Sequence, residues 1–417
     1  MKSFGTKSWI TLLTTLTLTA AACGSSGPNP NPNPNPPNPP VPLTLDFGTP
    51  LSMDAGAGVP SSAQTVYIGD FNNDGKLDFA ILNNSSLGVF LGNGDGTFGA
   101  RLDATSLVNG PVALAAGEFE GVQPMELVAT YPGAKQLVLF FDLDQDGLFT
   151  GDAPIPAGLA AETPNGITVA DFTGDGIDDI IVTNSDDGSL SYKVNMGGAA
   201  FTTFSKSSGG KLNSPRNVVS ADFDQDGDMD IAVANNGADF ATVWFNNGDA
   251  NPAFQFQPSD ADNSLTMPSM YGGQGITTAD LNDDGLPDLV VPSPGSKQAA
   301  VFLNQGGGAF GAATLLTAGN DPFSAAVGDF NQDGNLDIVV PNAFGVDGAN
   351  GDFGIYLGDG TGAFEAAQFF TAGTDGAAQP NHPRSVAVGD FNGDGLPDIL
   401  LASDLVDQAT VVLNTSF

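Results

Sequence analysis

A nine-residue pattern, Asp-Phe-Asn-x-Asp-Gly-x-x-Asp, starts at Asp70, Asp171, Asp222, Asp280, Asp329 and Asp390. In a tight loop, side-chain oxygens at positions 1, 3 and 5 turn inward, position 7 adds a backbone carbonyl, and Gly at position 6 permits the sharp turn. Six to eight such hard oxygens suit calcium. The implied ligand sets are Asp70, Asn72, Asp74 and Asp78; Asp171, Thr173, Asp175 and Asp179; Asp222, Asp224, Asp226 and Asp230; Asp280, Asn282, Asp284 and Asp288; Asp329, Asn331, Asp333 and Asp337; and Asp390, Asn392, Asp394 and Asp398. One Ca2+ per loop gives about six ions. Asp, Asn and Gly also form metal-free turns, but carboxylates crowded into nine residues repel one another unless a cation lies between them. Six copies make that the governing consideration.

Two related stretches are weaker. The copy at Glu118 (Glu-Phe-Glu-Gly-Val-Gln-Pro-Met-Glu) has Val122 at position 5 and Gln123 where Gly is needed, so it is expected to bind nothing while still forming its structural unit. The run Asp142-Leu-Asp-Gln-Asp-Gly147 falls in a hairpin turn with Thr150 at position 9, leaving a seventh ion open.

Composition narrows the rest. There are 11 Lys plus Arg against 48 Asp plus Glu, and 43 of those acids are Asp. Such a surface cannot displace counterions from a phosphate backbone, so nucleic acid is excluded as a partner. One Cys and one His leave no material for disulfide frameworks, Cys/His zinc sites or a triad that avoids His382. Abundant Gly (55) and Pro (29) suit a turn-rich all-β chain.

The loops need strands to hold them. Copies start 48, 53, 51, 58, 49 and 61 residues apart, a period that fits one four-stranded blade per repeat. Ser385–Gly389 before a loop and Asp398–Ala402 after it have strand patterns. A third run such as Val301–Asn304, a Gly-rich turn at 305–308 and Phe310-Gly311-Ala312 opening a fourth strand complete the unit. Similar hairpins lie at 89–100 and 355–367. The last repeat stops after three strands, and Thr44–Leu51 carries the missing Phe-Gly pattern at the other end. One strand, six quartets and a final three make 28 strands, a seven-bladed β-propeller closed by an N-terminal strand that leaves no open edge.

These loops resemble the FG-GAP and VCBS repeats found in the propellers of integrin α chains and in bacterial surface proteins. The resemblance covers residues 44–417. It implies calcium in the loops between first and second strands, and it is a weak guide to the ligand, because function resides in sites grafted on the fold.

The N-terminus is expected to be an address and a tether. Lys2 and Lys7 precede an apolar stretch too short to span a bilayer, which marks residues 1–22 as a signal peptide. Leu-Thr-Ala-Ala-Ala-Cys-Gly ends it and resembles the lipobox of bacterial lipoproteins, making Cys23 the acylated residue; Ala20 stands where Leu is commonest in that motif. Residues 23–43 form a linker whose Pro-Asn-rich part, 28–43, would extend about 50 Å as polyproline II. The domain would then stand off an outer membrane or cell surface, with secretion or a periplasmic location as the alternative.

If the Asp loops share one face, the connections between blades share the other, and loops carry binding groups. That face offers Met267, Met270 and Tyr271, Phe344 and Phe353, and His382 as an exposed loop residue. Arg216 and Arg384 hold equivalent places, each after a Pro and six residues before a loop Asp, and two such cations could grip a carboxylate. Tyr271 is a candidate platform, whereas Trp244 is expected to pack inside its blade. The expected protein is a monomeric, non-catalytic binding or scaffold module for a glycan or protein ligand. A polysaccharide lyase or hydrolase is the alternative, and it would need His382, Tyr271, Arg216 and Arg384 to converge.

Overall fold

Apolar runs between the Asp loops become the middle strands of seven antiparallel sheets. The computed structural model describes residues 44–54, 65–83, 86–103, 110–120, 125–143, 149–156, 163–248, 256–258, 264–267, 273–345, 351–373, 381–404 and 408–416. The first strands of blades 1 to 7 are Thr65–Gly69, Ala113–Gly117, Pro164–Ala170, Pro215–Ala221, Thr277–Ala279, the pair Asn320–Pro322 and Ala326–Gly328, and Pro383–Gly389. First strands touch from blade to blade round most of the ring, and Asn320–Pro322 of blade 6 touches the second strand of blade 5, Asp288–Ser293.

Each second strand is buried along its length, as in Asp288–Ser293 and Asp398–Ser403, apart from Phe344 at the end of Asp337–Phe344. It pairs with strands on both edges while neighbouring blades cover both faces, so every side chain meets apolar surface. The clusters between blades mix their residues: Leu82 and Val89 of blade 1 pack with Leu127 and Val138 of blade 2. The helical turn Pro132–Ala134, between two strands of blade 2, is the only helix among the described residues.

Thirty strand segments occur among the described residues, against 28 expected. The fourth strand of blade 4 is divided into Phe256–Pro258 and Ser264–Thr266, both paired with Phe240–Asn246. The first strand of blade 6 is divided likewise, with both parts on Asp337–Phe344.

The chain's N-terminal strand is the outer strand of the last blade, where Leu51–Asp54 pairs antiparallel with Gln408–Val412. It begins later than the expected 44–51. Phe47 makes an isolated bridge to Asn414, just as Phe98, Phe310 and Phe364 bridge Gly92, Asn304 and Gly358 ahead of their own fourth strands. These rings explain the delay, because they turn inward to pack between blades. Phe98 meets Phe391, Phe310 meets Phe223 and Phe47 meets Phe330, edge to face at 5.5, 5.8 and 6.3 Å.

Candidate functional site

Each Asp loop is laid down by its own side chains. In blade 1, Asp70 Oδ1 accepts the N–H of Asp74 at 3.0 Å and Oδ2 that of Gly75 at 2.8 Å, while Asn72 Oδ1 also accepts from Asp74. Asp74 Oδ1 then accepts the N–H of Lys76. The same bonds recur from Asp222 to Asp228 and from Asp390 to Leu396. Gly at position 6 has φ between 83° and 97° in all six loops, which only Gly adopts without strain. Such bonds hold positions 1, 3 and 5 in one concave turn.

The donors fit a hard cation. Asp222, Asp224 and Asp226 each bring a carboxylate oxygen within 4.8 Å of the others. Partial burial first, then the neighbouring charge of Asp226, pushes the Asp224 carboxyl above its ordinary pKa. In the third blade Thr173 Oγ1, at ligand position 3, is buried without a hydrogen-bond partner, the state of an atom suited to a metal or water that the loop would enclose.

Position 9 has a second task. Asp78, Asp179, Asp230, Asp288, Asp337 and Asp398 are buried at the start of each second strand. One oxygen of each accepts the N–H of loop position 2, as from Phe223 to Asp230 at 2.8 Å, and the other accepts an N–H from the end of the third strand, as from Asn246 at 2.7 Å. The carboxylate thereby clamps loop to blade. Burial, opposed by the two N–H groups and reinforced by the acids at positions 1 and 5, or for Asp230 at positions 3 and 5, raises Asp78, Asp179 and Asp288 to about 6 and Asp230, Asp337 and Asp398 to about 7.

The third-strand end carries residues that the pattern search passed over. Asn195, Asn246, Asn304 and Asn414 each send Nδ2 to the backbone oxygen of the position-2 Phe in the preceding blade, Phe119, Phe172, Phe223 and Phe330, at 2.8 to 2.9 Å. Each Asn lies 16 residues after its clamp Asp, a spacing that could have revealed it. Blade 1 has Gly92 in that place, and there Gly96 N–H takes the Phe391 carbonyl of blade 7 at 3.0 Å.

Blade 2 forms with its degenerate loop, as expected. Glu126, 1% exposed, keeps the loop half of the clamp by accepting the Phe119 N–H at 2.9 Å. Asp178 of the next loop accepts the Glu118 N–H at 2.8 Å. Residues 121–124 of that loop lie outside the described residues, as do 144–148 of the other acidic run, Cys23 and Tyr271.

On the opposite face the structure corrects several expectations. His382 is buried, 5% exposed, rather than an open loop residue. Its ring lies edge-on to Phe344 at 4.1 Å and its Nδ1 is 3.7 Å from Asp404. Burial lowers its pKa, with Asp404 opposing. Met267 and Phe353 are core residues, and Trp244 is buried between blades 3 and 4, where Phe172, Ile181 and Leu190 share its cluster. Arg384 Nε pairs with Asp404 at 2.5 Å, off the axis of a hydrogen bond, and its guanidinium carbon stands 4.2 Å over the Phe323 ring. Arg216 is exposed. His382 and Arg384 are thus brought together over Asp404, while Arg216 lies on blade 4, with blades 5 and 6 between.

Comparisons with known proteins agree with this architecture. The FG-GAP-like repeat family model matches residues 171–233, 222–291, 280–340 and 343–401. Human integrin alpha-7 is 33% identical over 153 residues, a match covering 33% of this chain and only 12% of that relative. The solved structure of BBS1N in complex with ARL6DN superposes with a TM-score of 0.56 at 12% identity, covering 89% of this chain and 98% of that one; at that identity it speaks for the fold alone. With more than half its length matched, the chain belongs to the FG-GAP-like repeat family.

Proposed function

We propose that the protein is a calcium-stabilised binding module, held outside the cell by a lipid on Cys23, that recognises a glycan or protein with the face turned away from the Asp loops. The convergence of Asp222, Asp224 and Asp226 carries the calcium part of this reading. A bound Ca2+ would supply the positive charge that lets these carboxylates stay ionised side by side. Positions 1, 3 and 5 would offer side-chain oxygens, and position 9 would hold the loop against its blade. Membership of a repeat family shared with an integrin favours binding over catalysis.

Support for the anchor is the sequence around Cys23. Detergent-phase partition of the full chain against Cys23→Ser tests it: the parent enters the detergent phase and the variant stays in water. Equal partition would refute the lipid. The enzyme alternative would draw on His382 and Arg384. His382, packed beneath Phe344 and beside Asp404, is poorly placed to take a proton from a substrate.

A further inference from the structure

We propose that the mouth of the central channel, on the face away from the Asp loops, binds the carboxylate of an acidic sugar such as a uronate. This rests on the binding-module reading above and names its site and ligand class. A cavity of about 470 Å³ runs through the centre of the ring and is lined by first strands of all seven blades. At this mouth its lining is polar, with Thr65, Asn217, Ser324 and Ser385. Ser324 Oγ is buried there without a hydrogen-bond partner.

Arg216 and Arg384 immediately precede two of those lining residues, Asn217 and Ser385. Both arginines occupy β-bulges, since pairing shifts register between Pro215 and Asn217 and again between Pro383 and Ser385. A bulge re-aims a side chain beside a site. Arg384 is pre-set: Asp404 holds its Nε and Phe323, next to Ser324, supports its flat face. Its side chain remains 38% exposed, leaving the outer nitrogens of the fork, the part that matches a carboxylate. Arg216 has no ion-pair partner among the described residues and stands on blade 4, three blades away in the ring of seven. Two cations on one rim, in a chain of net charge −37, single out this mouth for an anion.

Hydroxyls and amides in the lining favour a sugar over a peptide. A peptide would need apolar surface to cover its side chains, yet the exposed large hydrophobic residues among those described are Leu51, Met196, Phe344 and Phe369. Of these only Phe344, against His382, belongs to the blade connections of this face, where one ring can stack on a sugar's C–H face.

The test is calorimetric titration of the calcium-loaded full chain with trigalacturonate and with the neutral galactose trimer, too short to gel with calcium. The parent should bind the acid at least about tenfold more tightly than the neutral sugar, and Arg384→Gln or Arg216→Gln should each remove about that factor; the melting temperature should stay unchanged in Arg216→Gln, whereas Arg384→Gln also takes from the buried Asp404 its arginine partner and should lower it. Equal affinity for both trimers would overturn this inference while leaving a glycan-binding module. Unaltered uronate affinity in both variants would overturn it too, as would binding of an acidic peptide in place of either sugar. If neither sugar nor peptide binds, the inference and the broader ligand reading fall together.

Discussion

The Asp222 loop of blade 4 and the Glu118 loop of blade 2 occupy the same place in two copies of one design, yet among the described residues only the first gathers three carboxylates. Both keep the buried acid at position 9 that receives the position-2 N–H, Asp230 in one and Glu126 in the other. Clamp and cage are therefore separable. The position-9 acid is present in both blades, and in blade 2 Asp178 of the neighbouring blade accepts the Glu118 N–H.

Removing calcium should separate the two kinds of loop most strongly. At tenfold excess over Kd each site contributes about 1.4 kcal/mol, so six contribute about 8 kcal/mol. Calorimetric melting in excess chelator should show a large drop, and hydrogen exchange should quicken in the six Asp loops but not around Phe119. An unmoved melting curve would remove calcium from the account. Next in size is the clamp. Asp230→Ala orphans two buried N–H groups and should cost about 2 to 5 kcal/mol, while Glu126→Ala orphans the Phe119 N–H and should cost about 1 to 3 kcal/mol, measured by denaturant unfolding; a negligible loss in Glu126→Ala would break the comparison.

Asp226→Ala removes a cage member and should cost about 1.4 kcal/mol in calcium and almost nothing in chelator. Equal costs in both conditions would assign Asp226 to the turn rather than to an ion. The smallest effect concerns pH. In the metal-free fold the clamp acids titrate near 6 to 7, above their ordinary value of 3.8, so the native state holds more protons than the unfolded chain across that interval. Stability of chelated protein should then be fully expressed below about pH 4 in this respect and decline as pH rises to 7. With calcium present the slope should reverse, because protons compete with the ion. Parallel slopes in the two conditions would mean that ion and proton do not share these groups.

The loops and the seven-fold period were legible because each nonapeptide carries its own turn chemistry within nine residues, as the bonds from Asp70 to Lys76 illustrate. The start of each fourth strand was less so. Phe47, Phe98 and Phe310 look like strand residues, and their packing against rings that include the neighbouring blade's Phe330, Phe391 and Phe223 accompanies the reduction of their pairing to isolated bridges. Burial of His382 depends on Phe344 and Asp404, brought from other loops. The Asn contacts to the preceding blade were visible as a spacing but had no local meaning, since their acceptor lies 74 to 84 residues upstream.

Those Asn contacts all point backwards along the chain, from Asn195 to Phe119 and onward to Asn414 and Phe330. As the polypeptide emerges from its N-terminus, each of these blades finds its docking partner already made and can add itself to the growing stack. Two segments near the start of the chain must wait: Gly96 of blade 1 reaches for Phe391, and Leu51–Asp54 pairs with Gln408–Val412 of the last blade. Assembly thus has a built-in direction and a single final step, and a chain that stalls before its last thirty residues would hold a stack of blades that cannot become a ring.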